Sequence, residues 1–310
     1  MNTQSNKLDF LIIGAQKSAT TTLYKYLSAH PKIMMPASKE APFFVDDRCN
    51  NEEWRRFSNV HFESKCNDEL WGKATPQYMA DPNAPERIFN LFPNCKLIAI
   101  LRDPIDRARS HYQMDQRRET EARSFDLAIQ ATLRAGLLEE ARSLPAPTHT
   151  FGYRSESEFY VAWSEYGRII QSYLNFFDRS QLLLLSMSEL SHNPEACVSK
   201  VLAFLDLDTQ YCPPGIGQVA HKGGGKPIVS RYLRQQVSGQ PLFRFFWSRV
   251  SEQRKSVLRY WFDQYNVKHT QSTAGLAPST EAALRMHFAK DLRQLVKATG
   301  FRPDWLNTYC

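Results

Sequence analysis

Lys17 is followed by a run of hydroxyl-bearing residues, Ser18, Thr20, Thr21 and Thr22, interrupted only by Ala19. An ammonium and several O–H donors crowded together suit an oxyanion such as a phosphate or sulfate. Leu8 to Ile13 is an apolar run of the length of a buried strand, and Gly14 ends it. Leu23, Tyr26 and Leu27 then fall on one face of a helix. Strand, tight polar turn and helix start bring main-chain N–H groups and the positive end of a helix dipole to one spot. The ATP-type phosphate loop needs two glycines, four residues apart, before Lys-Ser/Thr, and Gly14-Ala15-Gln16 does not supply them. An ordinary strand-turn-helix with a solvated lysine has the same pattern.

Other stretches also carry charge where chemistry would need it. Glu40 stands between Lys39 and Ala41-Pro42-Phe43-Phe44. Aromatics that wall a cleft partly desolvate a carboxylate and strengthen it as a base, whereas on an open surface a glutamate beside a lysine is merely solvated. Trp71 to Tyr78 reads as a short strand stopped by Pro76, and it carries Lys73. Lys96 to Leu101 is a second buried strand, and Asp103 is placed to cap a helix that begins with Pro104. Arg102 is then left at the carboxyl end of the strand, where open α/β sheets bind ligands. Ser110 follows about two turns into that helix, with Arg107 and Arg109 read as exposed charges. His221-Lys222-Gly223-Gly224-Gly225-Lys226-Pro227 is glycine-rich and basic, which suits an anion but also describes an ordinary surface loop.

The elements that must position these residues are legible in outline. Leu182 to Leu185 is a third buried strand, and Tyr160 to Phe177 reads as an amphipathic helix. The helix after Pro194 carries Val198, Val201, Leu202 and Leu205 on one face. A last helix, Glu281 to Thr299, buries Leu284, Phe288, Leu292 and Leu295, and Gly300 stops it. Prolines 31, 36 and 42 predict extended or turning chain, 50–69 predicts helix and loop beside the cleft, and 113–160 predicts a helical insertion over it. With 310 residues, 42% hydrophobic and 23% charged, the expected fold is a single α/β domain with a parallel sheet of about five strands flanked by helices. No apolar run approaches the roughly 20 residues of a membrane helix. The polar Met1 to Lys7 leads straight into the first strand, so no signal peptide and a cytoplasmic location are expected. The net charge of +7 favours anionic ligands, but the basic residues are scattered, so no nucleic-acid partner is expected. The six cysteines show no C-x-x-C pair and no metal-ligand spacing; they read as reduced thiols, with Cys49 and Cys66 the first pair to test for a bridge.

The Lys17 turn resembles the 5′-phosphosulfate loop of sulfotransferases that use 3′-phosphoadenosine 5′-phosphosulfate (PAPS), a pattern that usually has Gly where this chain has Ala19. Lys39-Glu40-Ala41-Pro42-Phe43-Phe44 is similar to the K-E-x-x-F-F segment of the heparan-sulfate-type members, and Lys73 to Tyr78 to their E-K-[ST]-P-x-Y segment with the order slightly altered. Arg102 with Ser110 resembles the family's 3′-phosphate segment, and 222–227 lies where it has a K-G-x-x-x-P loop, with Gly224 in the place of a frequent arginine. The stretch from Tyr166 to Leu207 looks like the scaffold that follows. The resemblance is nearest the carbohydrate-type and soluble bacterial members. It implies a phosphate-loop-like α/β fold and transfer of a sulfonate from PAPS to a hydroxyl-bearing acceptor (glycan, lipid or small metabolite), leaving 3′-phosphoadenosine 5′-phosphate (PAP) and needing no metal. In that reading Glu40 is the base, and Lys17 and Lys73 stabilise the transferred group. Lys17, Ser18, Ala19, Thr20, Thr21 and Thr22 hold the 5′-phosphate; Arg102, Ser110, Lys222, Gly223 and Gly224 hold the 3′-phosphate. Phe43, Phe44 and Tyr78 face the acceptor. His111 is a rival base, because the small-molecule branch uses histidine, but it ranks lower since it faces away from its neighbour Ser110. A Mg²⁺-dependent nucleotide kinase-like enzyme and a noncatalytic polyanion-binding protein remain as alternatives.

Overall fold

The apolar runs become strands of one five-stranded, all-parallel sheet in the order β2-β3-β1-β4-β5. The strands are β1 (Phe10–Gly14), β2 (Ile33–Met34), β3 (Leu70–Ala74), β4 (Lys96–Leu101) and β5 (Leu182–Ser186). The computed structural model describes residues 7–45, 47–62, 68–146, 158–217 and 275–309, together with 226–227, 240, 247, 249 and 267–268. Central strands alternate their side chains between two cores. Phe10, Ile12, Ile98 and Ile100 enter one, and Leu11, Ile13, Leu97 and Ala99 enter the other. Both faces are covered, which is why these strands read as unbroken apolar runs.

Helices α1 (Thr20–Ser28), α2 (Asn51–His61), α3 (Ala84–Leu91) and α4 (Pro104–Arg117) alternate with the first strands. Then come α5 (Phe125–Thr132), α6 (Ala135–Ser143) and α7 (Tyr166–Leu174), and after β5 come α8 (Met187–His192), α9 (Pro194–Phe204) and α10 (Pro278–Thr299). Residues Leu23, Tyr26 and Leu27 of α1 share one core with Leu190 of α8 and Val198, Val201 and Leu202 of α9. Residues Ile105, Ala108 and Tyr112 of α4 pack on the other face, with the buried stripes of α7 and α10. The chain thus leaves β1 towards one face of the sheet and leaves the adjacent β4 towards the other. This divergence opens a crevice at the carboxyl ends of β1 and β4, the position at which such sheets take ligands.

Some details differ from the sequence reading. The stretch read as extended or turning chain holds the edge strand β2, which a two-residue length hides from any periodicity. The helix expected over Tyr160 to Phe177 is a 3₁₀ turn at Ala162–Ser164 followed by α7. The last helix starts earlier, with Pro278 at its first position, and ends as expected at Gly300, whose φ of 71° is left-handed. Helices α5 and α6 join the main core through Phe125, Ala128, Ile129 and Leu138. Lys226–Pro227 and Val267–Lys268 pair as a short antiparallel ladder. Among the described residues no helix is long and apolar enough to cross a membrane.

The contact of α7 with α10 is close. Asp291 on α10 accepts from the main-chain N–H groups of Gly167 (2.7 Å) and Arg168 (2.9 Å), so its carboxylate fastens the start of α7. A Cβ at Gly167 would overlap the main-chain carbonyl of Asp291, whereas one at Gly136 on α6 would meet open space. Gly167→Ala is therefore expected to destabilise the fold by about 1–3 kcal/mol, while Gly136→Ala is neutral or stabilises by up to about 1 kcal/mol. Denaturant midpoints of the two variants would check this contrast.

Candidate active site

The turn after β1 crosses the carboxyl end of the sheet and is sewn to β4, since the N–H of Ala15 donates to the carbonyl of Ile100 at 2.9 Å. Lys17 (φ 72°) and Ala19 (φ 63°) both adopt the left-handed conformation, and Ala19 is the N-cap of α1. A glycine would take that geometry without strain; each such residue costs this chain about 1–2 kcal/mol. Ser18 is fully buried, and its Oγ has no partner among the described residues. A buried hydroxyl in that condition is one that an oxyanion in the turn would satisfy. Thr20 is buried at the helix start, with Thr21 and Thr22 half-buried beside it.

At the end of β4, the Arg102 guanidinium donates to the carbonyl of Lys17 at 3.4 Å, which brings the two turns into contact. The main chain of Arg102 is fixed by Tyr166, whose hydroxyl donates to its carbonyl at 2.9 Å. Asp103 caps α4 by accepting from the N–H of Asp106 at 2.9 Å, and its other oxygen accepts from the Tyr309 hydroxyl at 2.9 Å. Ser110 is half-buried along α4. Arg117, seven positions further, lies on the same helical face, and both Arg117 and Arg118 act electrostatically on Lys17. Burial, then Arg117, Arg118 and Arg102, pull the Lys17 ammonium down to about 7 against the opposing effect of Glu40.

Glu40 sits on a strap that follows β2 and runs across the start of α1. The Tyr24 hydroxyl on α1 holds the near end by donating to the carbonyl of Pro36 at 2.5 Å. At the far end the Tyr78 hydroxyl accepts from the N–H groups of Phe43 (2.8 Å) and Phe44 (3.2 Å). Cys49 Sγ donates to the carbonyl of Phe43 at 3.1 Å. Between these ties, Lys39 Nζ meets Glu40 Oε1 at 2.7 Å and Thr20 Oγ1 at 3.3 Å. Lys73 is fully buried on β3, donates to Thr75 Oγ1, and lies 4.9 Å from the centre of the Tyr78 ring. Burial pulls its ammonium down to about 7; Glu40 opposes this and Lys39 adds to it.

Lys17, Ser18, Thr20, Glu40, Lys73 and Arg102 are therefore gathered at one crevice. Other sequence expectations are corrected. Phe44 and Tyr78, which were expected to face an acceptor, are 0% and 1% exposed and belong to the core, where Phe44 packs on Trp54, Tyr78 and Phe92. They shape the strap and offer an acceptor no surface; Phe43, half-buried, keeps some. His111, the rival base, is fully buried, stacked on Trp163 and 3.3 Å from Arg107 Nη1, so no acceptor can reach it. Arg107 is not an exposed charge: it is fully buried and bonded to Ser164 Oγ (2.6 Å) and the carbonyl of Tyr160 (2.7 Å). Lys222, Gly223, Gly224 and Cys66 lie outside the described residues. Lys39, Arg117 and Arg118 were not singled out from sequence; the spacing of Arg117 from Ser110 was the available signal.

Comparisons with known proteins bear on the family and the fold. Residues 7–223 match the family model described as the sulfotransferase domain. A membrane-associated sulfotransferase of Dictyostelium discoideum is 26% identical over 64% of this chain and 56% of its own length. A bifunctional heparan sulfate N-deacetylase/N-sulfotransferase of Mus musculus is 31% identical over 65% of this chain, and a mouse heparan sulfate glucosamine 3-O-sulfotransferase is 28% identical over 64%. The chain thus spans between about a fifth and just over half of these relatives, 22% and 52% of the latter two. The crystal structure of a sulfotransferase from Alicyclobacillus acidocaldarius superposes with a TM-score of 0.64 at 21% identity, covering 97% of this chain and 99% of that one, and so has the same fold. Because that family model spans more than half of its length, the chain belongs to the sulfotransferase family.

Proposed function

We propose that this protein transfers a sulfonate group from PAPS to the hydroxyl of an acceptor. The observation that carries the reading is the crevice itself: Lys17, Arg102 and Lys73 converge there with Glu40, and the buried Ser18 hydroxyl in the turn has no partner among the described residues. Such crowding of cations is unfavourable alone and suits a ligand with several negative charges. When bound, the donor supplies an activated sulfonate attached to a phosphate leaving group. Ser18, Thr20, Thr21 and Thr22, with the main chain at the start of α1, hold the 5′-phosphate. Arg102 and Ser110 hold the 3′-phosphate, which separates PAPS from its counterpart without that group. Lys17 donates N–H bonds to oxygens on which charge grows, and Lys73, buried on β3, adds its charge to the same stabilisation, as fixed cations do in phosphoryl transfer. Glu40 accepts the proton of the acceptor hydroxyl once its carboxylate comes within about 3 Å of that oxygen. The half-buried ring of Phe43 suits a sugar face or an apolar chain, and the relatives named for heparan sulfate make glycans the first acceptors to try.

Calorimetric titration with PAP, and with AMP, ADP and ATP–Mg²⁺ for comparison, tests the donor site. PAP is expected to bind with micromolar affinity, well ahead of AMP, and Arg102→Ala is expected to cost about 1.5–3 kcal/mol, or roughly ten- to a hundredfold. A preference for ATP–Mg²⁺ would favour a kinase-like enzyme, and polymer binding with steep salt dependence but no PAP binding would favour a polyanion-binding protein.

Glu40→Gln should bind PAP at least as tightly as the wild type while lowering turnover about a hundredfold or more, read as PAP released from PAPS with a panel of glycan and small-hydroxyl acceptors. Near-normal turnover would exclude Glu40 as base.

The lowered pKa values of Lys17 and Lys73, each about 7, set the sign of a pH effect. At pH 8 both are largely neutral, and an anion beside them favours the ammonium form. PAP binding should therefore take up protons there, and affinity should fall about tenfold or more between roughly pH 6.5 and 8.5. Titrations in two buffers of different ionisation enthalpy read the proton count; proton release would contradict the assignment.

A further inference from the structure

Lys39 has no role in the mechanism above, yet it touches both halves of it. Its ammonium lies 2.7 Å from Glu40 Oε1 and 3.3 Å from Oγ1 of Thr20, the first residue of α1. The Lys39 side chain is only 12% exposed and that of Glu40 31%, so the pair is more shielded than an ordinary surface ion pair, and its geometry is held from outside. Tyr24, one turn beyond Thr20 on α1, ties the strap at Pro36, and Tyr78 ties it at Phe43 and Phe44. The ammonium is therefore kept at the meeting point of the strap and the anion-binding turn. An ammonium has three N–H donors and no directional preference between a carboxylate and a phosphate oxygen. An oxyanion arriving at Thr20 would contend with Glu40 for the same cation.

We propose that Lys39 is a positioning residue that couples the base to the donor: its ammonium steadies the Glu40 carboxylate beside Thr20, and a nucleotide phosphate in the turn draws on that same ammonium and loosens its hold on Glu40. The coupling lets the carboxylate accept a proton from an acceptor hydroxyl when the donor is in place, and restrains it otherwise. It rests on the reading of the Lys17 turn as the donor's 5′-phosphate site. Neither bond is broken covalently; the ammonium only redistributes its hydrogen bonds between two anions.

The coupling is measurable without knowing the acceptor, by PAP calorimetry on a double-mutant cycle. Glu40→Gln removes the competitor for the ammonium and should tighten PAP binding about five- to tenfold. In a Lys39→Met background the same Glu40→Gln change should gain about twofold or less, and Lys39→Met alone should weaken PAP binding about fivefold. Lys39→Arg, which keeps the charge, should preserve the Glu40→Gln gain. Lys39→Gln stands in for Lys39→Met should the latter fail to melt cooperatively. Equal gains in the wild-type and Lys39→Met backgrounds would overturn the coupling while leaving the donor site intact. Loss of the gain in Lys39→Arg as well would assign the effect to packing and would also overturn it. Failure of the wild-type protein to bind PAP at all would instead overturn the donor reading on which the coupling rests.

Discussion

Like charges brought together in a half-buried crevice repel one another, and the rest of this protein is arranged to keep them there. Lys17 feels Arg102, Arg117 and Arg118, and Lys73 feels Lys39, with Glu40 opposing in both cases. Left to flexible chain, such groups would splay into water, where the repulsion is screened. They cannot do so because each is carried by a rigid element. Lys73 belongs to a strand buried on both faces, Arg102 ends the neighbouring strand but one, and the two arginines end a helix whose inner side is packed into the core. The apolar cores thus hold an electrostatic arrangement that the charges alone would not adopt.

The Lys17 turn shows the same compromise in the backbone. Two non-glycine residues in left-handed conformation are tolerated because the turn is closed at both ends, by the bond from Ala15 to Ile100 and by the first turn of α1 on Ala19. Strain in the turn and repulsion among the cations are both features that a bound oxyanion would reward, and they meet in the same few residues.

What could be read from sequence was whatever repeats with a period or ends with a distinctive residue. Lys96 to Leu101 emerged with the expected bounds because a parallel strand buried on both faces is apolar throughout. Gly300 closed the last helix as expected because a left-handed C-terminal residue has a strong chemical preference. Edge strand β2 was hidden because two residues carry no period, and the 3₁₀ turn before α7 because its Trp163 is buried either way. The most consequential differences concern burial of polar or amphipathic groups. Arg107, His111 and Tyr78 were read as exposed, reactive or ligand-facing, yet all three are bonded inside the core to partners 35 to 57 positions away or on the next turn. Distant partners of that kind leave no local trace. Lys39 was passed over for the opposite reason, since a lysine beside a glutamate is usually solvated, and only the strap's course across α1 brings it to Thr20.

The strap's attachments have a bearing on how this scaffold can diversify. At both ends it is gripped through main-chain atoms, namely the carbonyl of Pro36 and the N–H groups of Phe43 and Phe44, and between them the Lys39 side chain adds a tie to Thr20. Pro42 is exposed whereas Ala41 is buried, so of these two neighbours of Glu40 only Pro42 can vary without disturbing the packing. A change at Pro42 would therefore alter the outer surface of the strap while both main-chain ties, and with them the course of the chain past Glu40, stay in place.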